Sequence, residues 1–231
     1  MEQIYLILLA VLPGAIFSLF IIIQDRFDRE PVMMLIKVFV AGMVSTLPTI
    51  LVEILGQSLN IFSGIWGLLF EAVVIIGFSE EYFKRLVVLK LAYNNPAFNE
   101  KLDGIVYCGI AALGFATLEN IFYVVTYSAQ SPDIWITRGL LSVPVHMLLG
   151  VTMGYYLSLS KFCPDHRKCR SYFSKSLYIP ALLHGAFDFI LMSSLPLLSL
   201  AFIPFVAFLW ISSLIKLRRY YVESKRRFGS E

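Results

Sequence analysis

The stretch IYLILLAVLPGAIFSLFIII, residues Ile4–Ile23, decides the fold, because it is apolar almost throughout. A helix needs roughly 20 such residues to cross the hydrocarbon core of a bilayer. The stretch lacks the basic start of a cleavable signal peptide, so we interpret it as a retained first span. The whole chain of 231 residues is similar in character, with 58% hydrophobic residues and a mean hydropathy of +0.75. Only 15% of its residues are charged, against about 25% in soluble domains. The sequence therefore predicts an integral membrane protein.

Six further apolar segments predict an all-α, polytopic bundle of about seven transmembrane helices. The predicted spans are Ile4–Ile23, Pro31–Leu55, Ile61–Phe83, Gly104–Ser128, Ile136–Leu159, Leu177–Leu195 and Leu198–Ile215. The third is expected to continue to about Leu91, since the sequence beyond its charged patch stays apolar. We expect a single domain over residues 1–231, with the bundle in residues 1–217 and a basic tail in residues 218–231.

The placement of lysine and arginine predicts the orientation of the bundle. The loops after the first, third and fifth spans are basic, whereas the second and sixth have none and the fourth has only Arg138. Basic loops face the cytoplasm, so we expect the N-terminus outside and the C-terminus in the cytoplasm. The net charge of +3 is too small to indicate a nucleic-acid partner.

Several ionisable residues lie in or beside the apolar spans, where a charge costs about 2.5–3.5 kcal/mol at the bilayer centre. They are Glu80, Glu81, Glu119, His146, His184 and Asp188. One shared polar site inside the bundle would satisfy them at the lowest cost. Glu53 is near the outer end of its span and can reach water, while Glu71 is deeper and has no explanation in the pattern.

The spacing of these residues suggests how they divide their tasks. His184 and Asp188 are four apart and share one helix face, so the carboxylate can orient the imidazole. Glu80 and Glu81 are about 100° apart on a helix, so they are not expected to act alike. One of them can face the site while the other pairs with Lys84 or with the next residue, Arg85.

This set of residues predicts hydrolysis by one of two routes. Histidines and carboxylates can bind a divalent cation, most simply Zn²⁺, leaving a position for water and a glutamate as general base. Alternatively, a buried glutamate can activate water together with a histidine and no metal. Proton-coupled transporters also bury such residues, but the chain has no pair of broken helices in corresponding halves.

At these residues the chain resembles the PrsW family of bacterial membrane proteases. That family is part of a wider group with CAAX prenyl endopeptidases and bacteriocin-immunity proteins. The motifs that carry the resemblance are Glu80-Glu81 followed by Lys84-Arg85, Phe115 with Glu119, His146, and His184 with Asp188. The similarity runs from Pro13 to about Trp210, with the motifs in order.

The resemblance implies the first cut in a single-pass, membrane-spanning anti-sigma factor, which leads to release of a sigma factor. On this basis Glu80 or Glu81 activates water, while Glu119, His146 and His184 bind zinc or stabilise the oxyanion. Asp188, which orients His184, stands where prenyl endopeptidases tend to have asparagine, so a prenylated substrate is not favoured. A first cut is expected near the outer membrane face, yet counting residues places the site at mid-depth or closer to the cytoplasm.

Overall fold

The computed structural model describes residues 2–229, and within them every regular element is a helix. The helices form seven continuous rods. Two rods combine α-helical and π-helical segments that follow one another without a break. In chain order the elements are α1 (Glu2–Gln24), α2 (Val32–Ser58), α3 (Gly64–Phe70), π1 (Glu71–Phe78), α4 (Ser79–Leu91), α5 (Lys101–Tyr127), α6 (Ile134–Thr137), π2 (Arg138–Ser142), α7 (Val143–Lys161), α8 (His166–Met192) and α9 (Pro196–Phe228).

The seven rods confirm the predicted helical bundle. Five are long and apolar enough to cross a membrane: Ile4–Gln24, Val32–Ser58, Lys101–Tyr127, Ile134–Lys161 and Pro196–Phe228. The other two are the rod from α3 to α4 and α8, whose apolar runs are interrupted by the glutamates, the histidine and the aspartate discussed above. The third rod does continue to Leu91, as expected.

Two helices extend beyond the predicted spans. α8 begins at His166, because the Asp165 carboxylate accepts a hydrogen bond from the backbone N–H of Arg167 at 3.0 Å and caps the helix. α9 continues past Ile215 to Phe228, so the basic segment after the apolar run is helical. Its Glu223 pairs with Lys101 at 2.6 Å, which holds this extension against the start of α5.

α5 forms the centre of the bundle and packs against α1, α2, α4, α7 and α9. Glycines allow the backbones to touch. A Cβ atom on Gly154 would lie 2.1 Å from the carbonyl oxygen of Gly104, and one on Gly114 would lie 2.1 Å from that of Phe39. Small residues at helix contacts are typical of membrane bundles, in which close packing replaces the hydrophobic effect.

The outer surface of the bundle is apolar. Large hydrophobic side chains such as Leu51, Leu200 and Ile203 are more than half exposed on α2 and α9. A soluble protein rarely exposes apolar surface on this scale, so these faces are the lipid-contacting surface. In contrast, Glu80, Glu81, His146 and His184 are buried inside the bundle.

Candidate active site

The site forms where π1 and α4 meet α8, because glycines let the two rods touch there. A Cβ atom on Gly185 would lie 2.5 Å from the Cα of Val73, and one on Gly77 would lie 2.7 Å from the backbone nitrogen of Gly185. The contact brings His184 on α8 beside the glutamates in the first turn of α4. π-helical turns often occur at functional sites, and here one directly precedes the glutamate pair.

Glu80 and Glu81 share one cation. The ammonium nitrogen of Lys84 lies 2.8 Å from Glu80 Oε2 and 2.8 Å from Glu81 Oε1. All three side chains are buried, and the ammonium also lies 4.2 Å from the centre of the Phe115 ring. Arg85, the other basic partner considered from the sequence, faces away and donates to the carbonyl oxygen of Phe173 at 2.8 Å.

His184 contacts both glutamates from α8. Its Nδ1 is 3.0 Å from Glu81 Oε1 and 3.8 Å from Glu80 Oε2. On the other side of the ring, Nε2 lies 3.4 Å from Asp188 Oδ2. The alignment there falls short of a hydrogen bond, and among the described residues that oxygen has no hydrogen-bond partner. Asp188 is therefore adjacent to His184, as the i, i+4 spacing predicts.

His146 enters from α7 and joins the glutamate pair to Glu119 on α5. Its Nδ1 is 2.8 Å from Lys84 Nζ, and its Nε2 is 3.0 Å from Glu119 Oε2. A lysine ammonium can only donate, so Nδ1 must be the unprotonated nitrogen and Nε2–H must donate to Glu119. The imidazole rings of His146 and His184 stand 5.0 Å apart, nearly perpendicular to each other.

Arg138 at the start of π2 completes the network. Its Nη2 donates to Glu119 Oε2 at 2.6 Å, its Nε donates to Asn120 Oδ1 at 3.3 Å, and its guanidinium lies 3.8 Å from the Tyr123 ring centre. The sequence pattern identified Arg138 only as a basic residue of a loop and did not predict its contact with Glu119. Its position could have indicated a special role, because Arg138 is the only basic residue in its loop.

The structure thus gathers the six predicted site residues into one network, but only four of them bring their donor atoms close to one another. Glu80, Glu81, His146 and His184 offer ligand atoms that all lie within 4.8 Å of one another. Glu119, expected among the metal ligands, lies outside this group of four, between His146 and Arg138.

A cavity of about 480 Å³ extends from these residues along the bundle. Its lining includes Glu80, Glu119, His184 and Asp188 at one end and reaches Glu53, Gln57 and Glu71 at the other. Gln57 donates to Glu71 at 3.2 Å, which gives Glu71 a role in the cavity wall. This is the end of α2 that the charge pattern places outside the cell.

The donor set fits a divalent metal. Two imidazoles and two carboxylates are the ligand types that zinc and related ions bind. Glu81 Oε2 is buried and has no hydrogen-bond partner among the described residues, so it has a free acceptor position. The carboxyl groups of Glu80, Glu81, Glu119 and Asp188 surround the two histidines, and Lys84 and Arg138 contribute two permanent positive charges to the same network. The Lys84 ammonium lies among the same donors and would have to shift for an ion to bind them.

Known proteins similar to this chain are membrane proteases. The model of the PrsW family intramembrane metalloproteases matches residues 30–213. A protein named Protease PrsW from Clostridioides difficile (strain 630) is 39% identical over 96% of this chain and 94% of its own length. Protease PrsW from Bacillus subtilis (strain 168) is 34% identical over 90% and 92%, and that of Shouchella clausii (strain KSM-K16) is 29% identical over 93% and 96%. No solved structure is significantly similar to the chain.

Proposed function

This chain belongs to the PrsW family of intramembrane metalloproteases, and we propose that it makes the first cut in a single-pass, membrane-spanning anti-sigma factor. It is a multi-pass bacterial membrane protein, and its substrate is a protein in the membrane. The observation that carries the proposal is the convergence of Glu80, Glu81, His146 and His184 from three helices onto one buried point.

In this proposal Glu80 or Glu81 is the general base. Glu80 lines the cavity, whereas Glu81 is wholly enclosed, so Glu80 is the better placed to take a proton from water. Glu81 contacts Lys84 and Nδ1 of His184, so it lies among the groups that would hold a metal. This assigns the two adjacent glutamates different tasks, as their helical spacing suggests.

We propose zinc as the divalent metal, held by His146, His184 and Glu81, which leaves Glu80 free to act as the general base. The alternative ligand set of Glu119, His146 and His184 is less well supported, because Arg138 already engages Glu119 Oε2. When bound, the metal supplies a Lewis acid that polarises a carbonyl group and makes water nucleophilic near neutral pH. Glu119 instead sets the tautomer of His146, and Asp188 orients His184 from its outer side.

The cavity supports a cut near the outer membrane face. Counting residues placed the glutamates and histidines deep in the membrane, which conflicted with an external first cut. The cavity runs from the glutamates and histidines to Glu53 and Gln57, at the predicted outer end of α2. A locally unwound substrate segment can enter along this path, and the Gln57–Glu71 pair offers polar groups to its backbone.

The test is cleavage of a co-expressed single-pass anti-sigma factor by Glu80→Gln, Glu81→Gln and His184→Ala variants. Each is expected to reduce cleavage at least about 100-fold, the usual minimum for losing a general acid–base group. The matched control is His166→Ala, because His166 is an exposed histidine on the same helix as His184. It is expected to cleave normally.

Membrane insertion and metal content are measured on the same preparations. We expect zinc in the wild-type and His166→Ala proteins, its loss in His184→Ala, and loss of activity with a chelator. Normal cleavage by all three site variants would exclude the site. A cleaved membrane protein other than an anti-sigma factor would keep the protease assignment and reject the proposed substrate.

A further inference from the structure

A second cluster of buried acids lies at the opposite end of the bundle from the cavity. Asp25 and Glu30 belong to the loop between α1 and α2, while Glu100 and Asp103 begin α5. Each of the four is at least nine-tenths buried. Carboxylate oxygens of Asp25, Glu100 and Asp103 all lie within 4.8 Å of one another, and Glu30 faces the same group.

Within the described chain, local hydrogen bonds leave one carboxylate oxygen without a donor on each of Asp25, Glu30 and Asp103. Asp25 Oδ2 accepts from the Glu30 backbone at 2.7 Å, and Asp103 Oδ2 accepts from the Glu100 backbone at 2.7 Å. Glu100 Oε1 accepts from Ser224 Oγ on α9 at 2.6 Å, and Glu30 Oε2 accepts from the Tyr107 hydroxyl. Within residues 2–229, Asp25 Oδ1, Glu30 Oε1 and Asp103 Oδ1 are shielded from solvent without any partner.

Two lysines near the cluster are engaged elsewhere. Lys161 donates to the carbonyl oxygen of Tyr93 and lies 4.3 Å from the Phe98 ring centre. Lys101 pairs with Glu223. Across the described part of the chain, no lysine or arginine forms an ion pair with any of the four acids. Helix capping explains one oxygen of Asp103, but it accounts for neither the three free oxygens nor the missing counter-charge.

We propose that Asp25, Glu30, Glu100 and Asp103 bind a hard divalent cation, Mg²⁺ or Ca²⁺. A donor set made only of oxygens selects these ions, whereas the protease site, with two imidazoles, suits zinc. A separate cavity of about 420 Å³ is lined in part by Asp25 and Glu30, at the edge of the cluster. The bound ion would connect the loop between α1 and α2 to the start of α5 and, through Ser224, to α9.

Proton binding competes with this cation. Burial raises the pKa of Asp25 to about 6 and that of Glu100 to about 7. A cation must therefore displace protons that the buried carboxyls otherwise retain near neutral pH. Its binding is expected to be tighter at pH 8 than at pH 6.

The experiment uses the full chain in detergent, stripped with a chelator and then titrated separately with MgCl₂ and CaCl₂. Calorimetry measures binding, and tryptophan fluorescence measures the unfolding midpoint. We expect one of the two ions to raise the wild-type midpoint by about 5–10 °C at a hundredfold excess over its dissociation constant. Asp25→Asn and Asp103→Asn should each weaken binding at least about 10-fold. Asparagine keeps the acceptor oxygen of the backbone hydrogen bonds, so both variants should fold.

Two controls separate this site from others. Asp28→Asn removes one acid from the same loop outside the cluster, and His184→Ala alters the protease site. Both should retain the stabilisation by the cation. At pH 8 without cations, where these carboxyls are ionised, the two cluster variants should be at least as stable as the wild type, because they remove an uncompensated charge. The proposal is overturned if neither ion binds at up to about 10 mM, beyond the weakest protein calcium sites. It is equally overturned if both cluster variants retain the stabilisation, or if they are destabilised at pH 8 without a cation.

Discussion

A single carboxylate, that of Glu119, connects the outer part of the site to its centre. Its Oε2 accepts from Arg138 at 2.6 Å and from His146 Nε2 at 3.0 Å. Because Nε2 carries the proton, His146 Nδ1 keeps its lone pair directed at the centre of the site. Arg138 therefore acts on the chemistry through Glu119, although it contacts neither histidine.

We expect Arg138→Gln to lower kcat about 10- to 100-fold, the usual cost of losing a supporting partner of a ligand histidine. KM should change little, and Arg138→Lys should recover part of the loss, since it restores the charge without the second N–H donor. The measurement is kcat and KM with a purified substrate peptide, and Arg218→Gln on the exposed face of α9 is the control. A raised KM with normal kcat would place Arg138 in substrate binding instead.

For individual residues, the sequence predicts which side chains belong to the site but not which side chains they contact. The cost of an ionisable group in lipid identifies Glu80, Glu119 and His184 from residue type and position alone. It does not identify their partners, since those depend on which helix ends meet. Lys84 was expected to pair with one glutamate and contacts two, and Arg138 was missed because its Glu119 contact spans two rods.

At the scale of elements, the contact between π1 and α8 positions the catalytic centre. Gly77 and Gly185 remove the side chains that would hold these rods apart. His184 is adjacent to Gly185, so the rod separation directly sets its 3.0 Å distance to Glu81. The sequence predicted both rods, but not the π-helical turn, because the apolar pattern of such a turn differs little from that of an α-helix.

We expect Gly185→Ala to abolish most cleavage and to destabilise the protein by about 1–3 kcal/mol, the usual cost of overpacking. The new methyl group would meet the Val73 Cα and the Ala72 carbonyl oxygen, both backbone atoms that cannot rotate away. The matched control is Gly109→Ala on α5, where the nearest atoms belong to the Ile21 side chain at 3.4 Å or more. Cleavage and the unfolding midpoint are measured for both. Similar behaviour of the two variants would show that rod separation does not control the site.

At the scale of the whole molecule, the chain has two polar ends with different chemistry. One end holds the cavity that leads to the histidines and glutamates. The other holds the buried acids at the start of α5 and the basic extension of α9. The fold class followed from apolar length alone, whereas this division depends on tertiary contacts between loops distant in sequence. The external cut requires that the cavity face outward, so the orientation carries a direct prediction.

The native cysteines test that orientation. Cys163 lies in the loop between α7 and α8, and Cys169 lies in the first turn of α8. Both are partly exposed in a segment that the basic residues place in the cytoplasm, whereas Cys108 is buried. A membrane-impermeant thiol reagent should therefore leave intact cells unlabelled and should label the protein only after permeabilisation. In a Cys163→Ser, Cys169→Ser background, Ser131→Cys in the exposed turn after α5 should be labelled in intact cells, because that turn is near Arg138 at the cavity end. If the native cysteines were labelled in intact cells and Ser131→Cys only after permeabilisation, the cavity would lie on the cytoplasmic side. A first cut at the outer face would then be impossible.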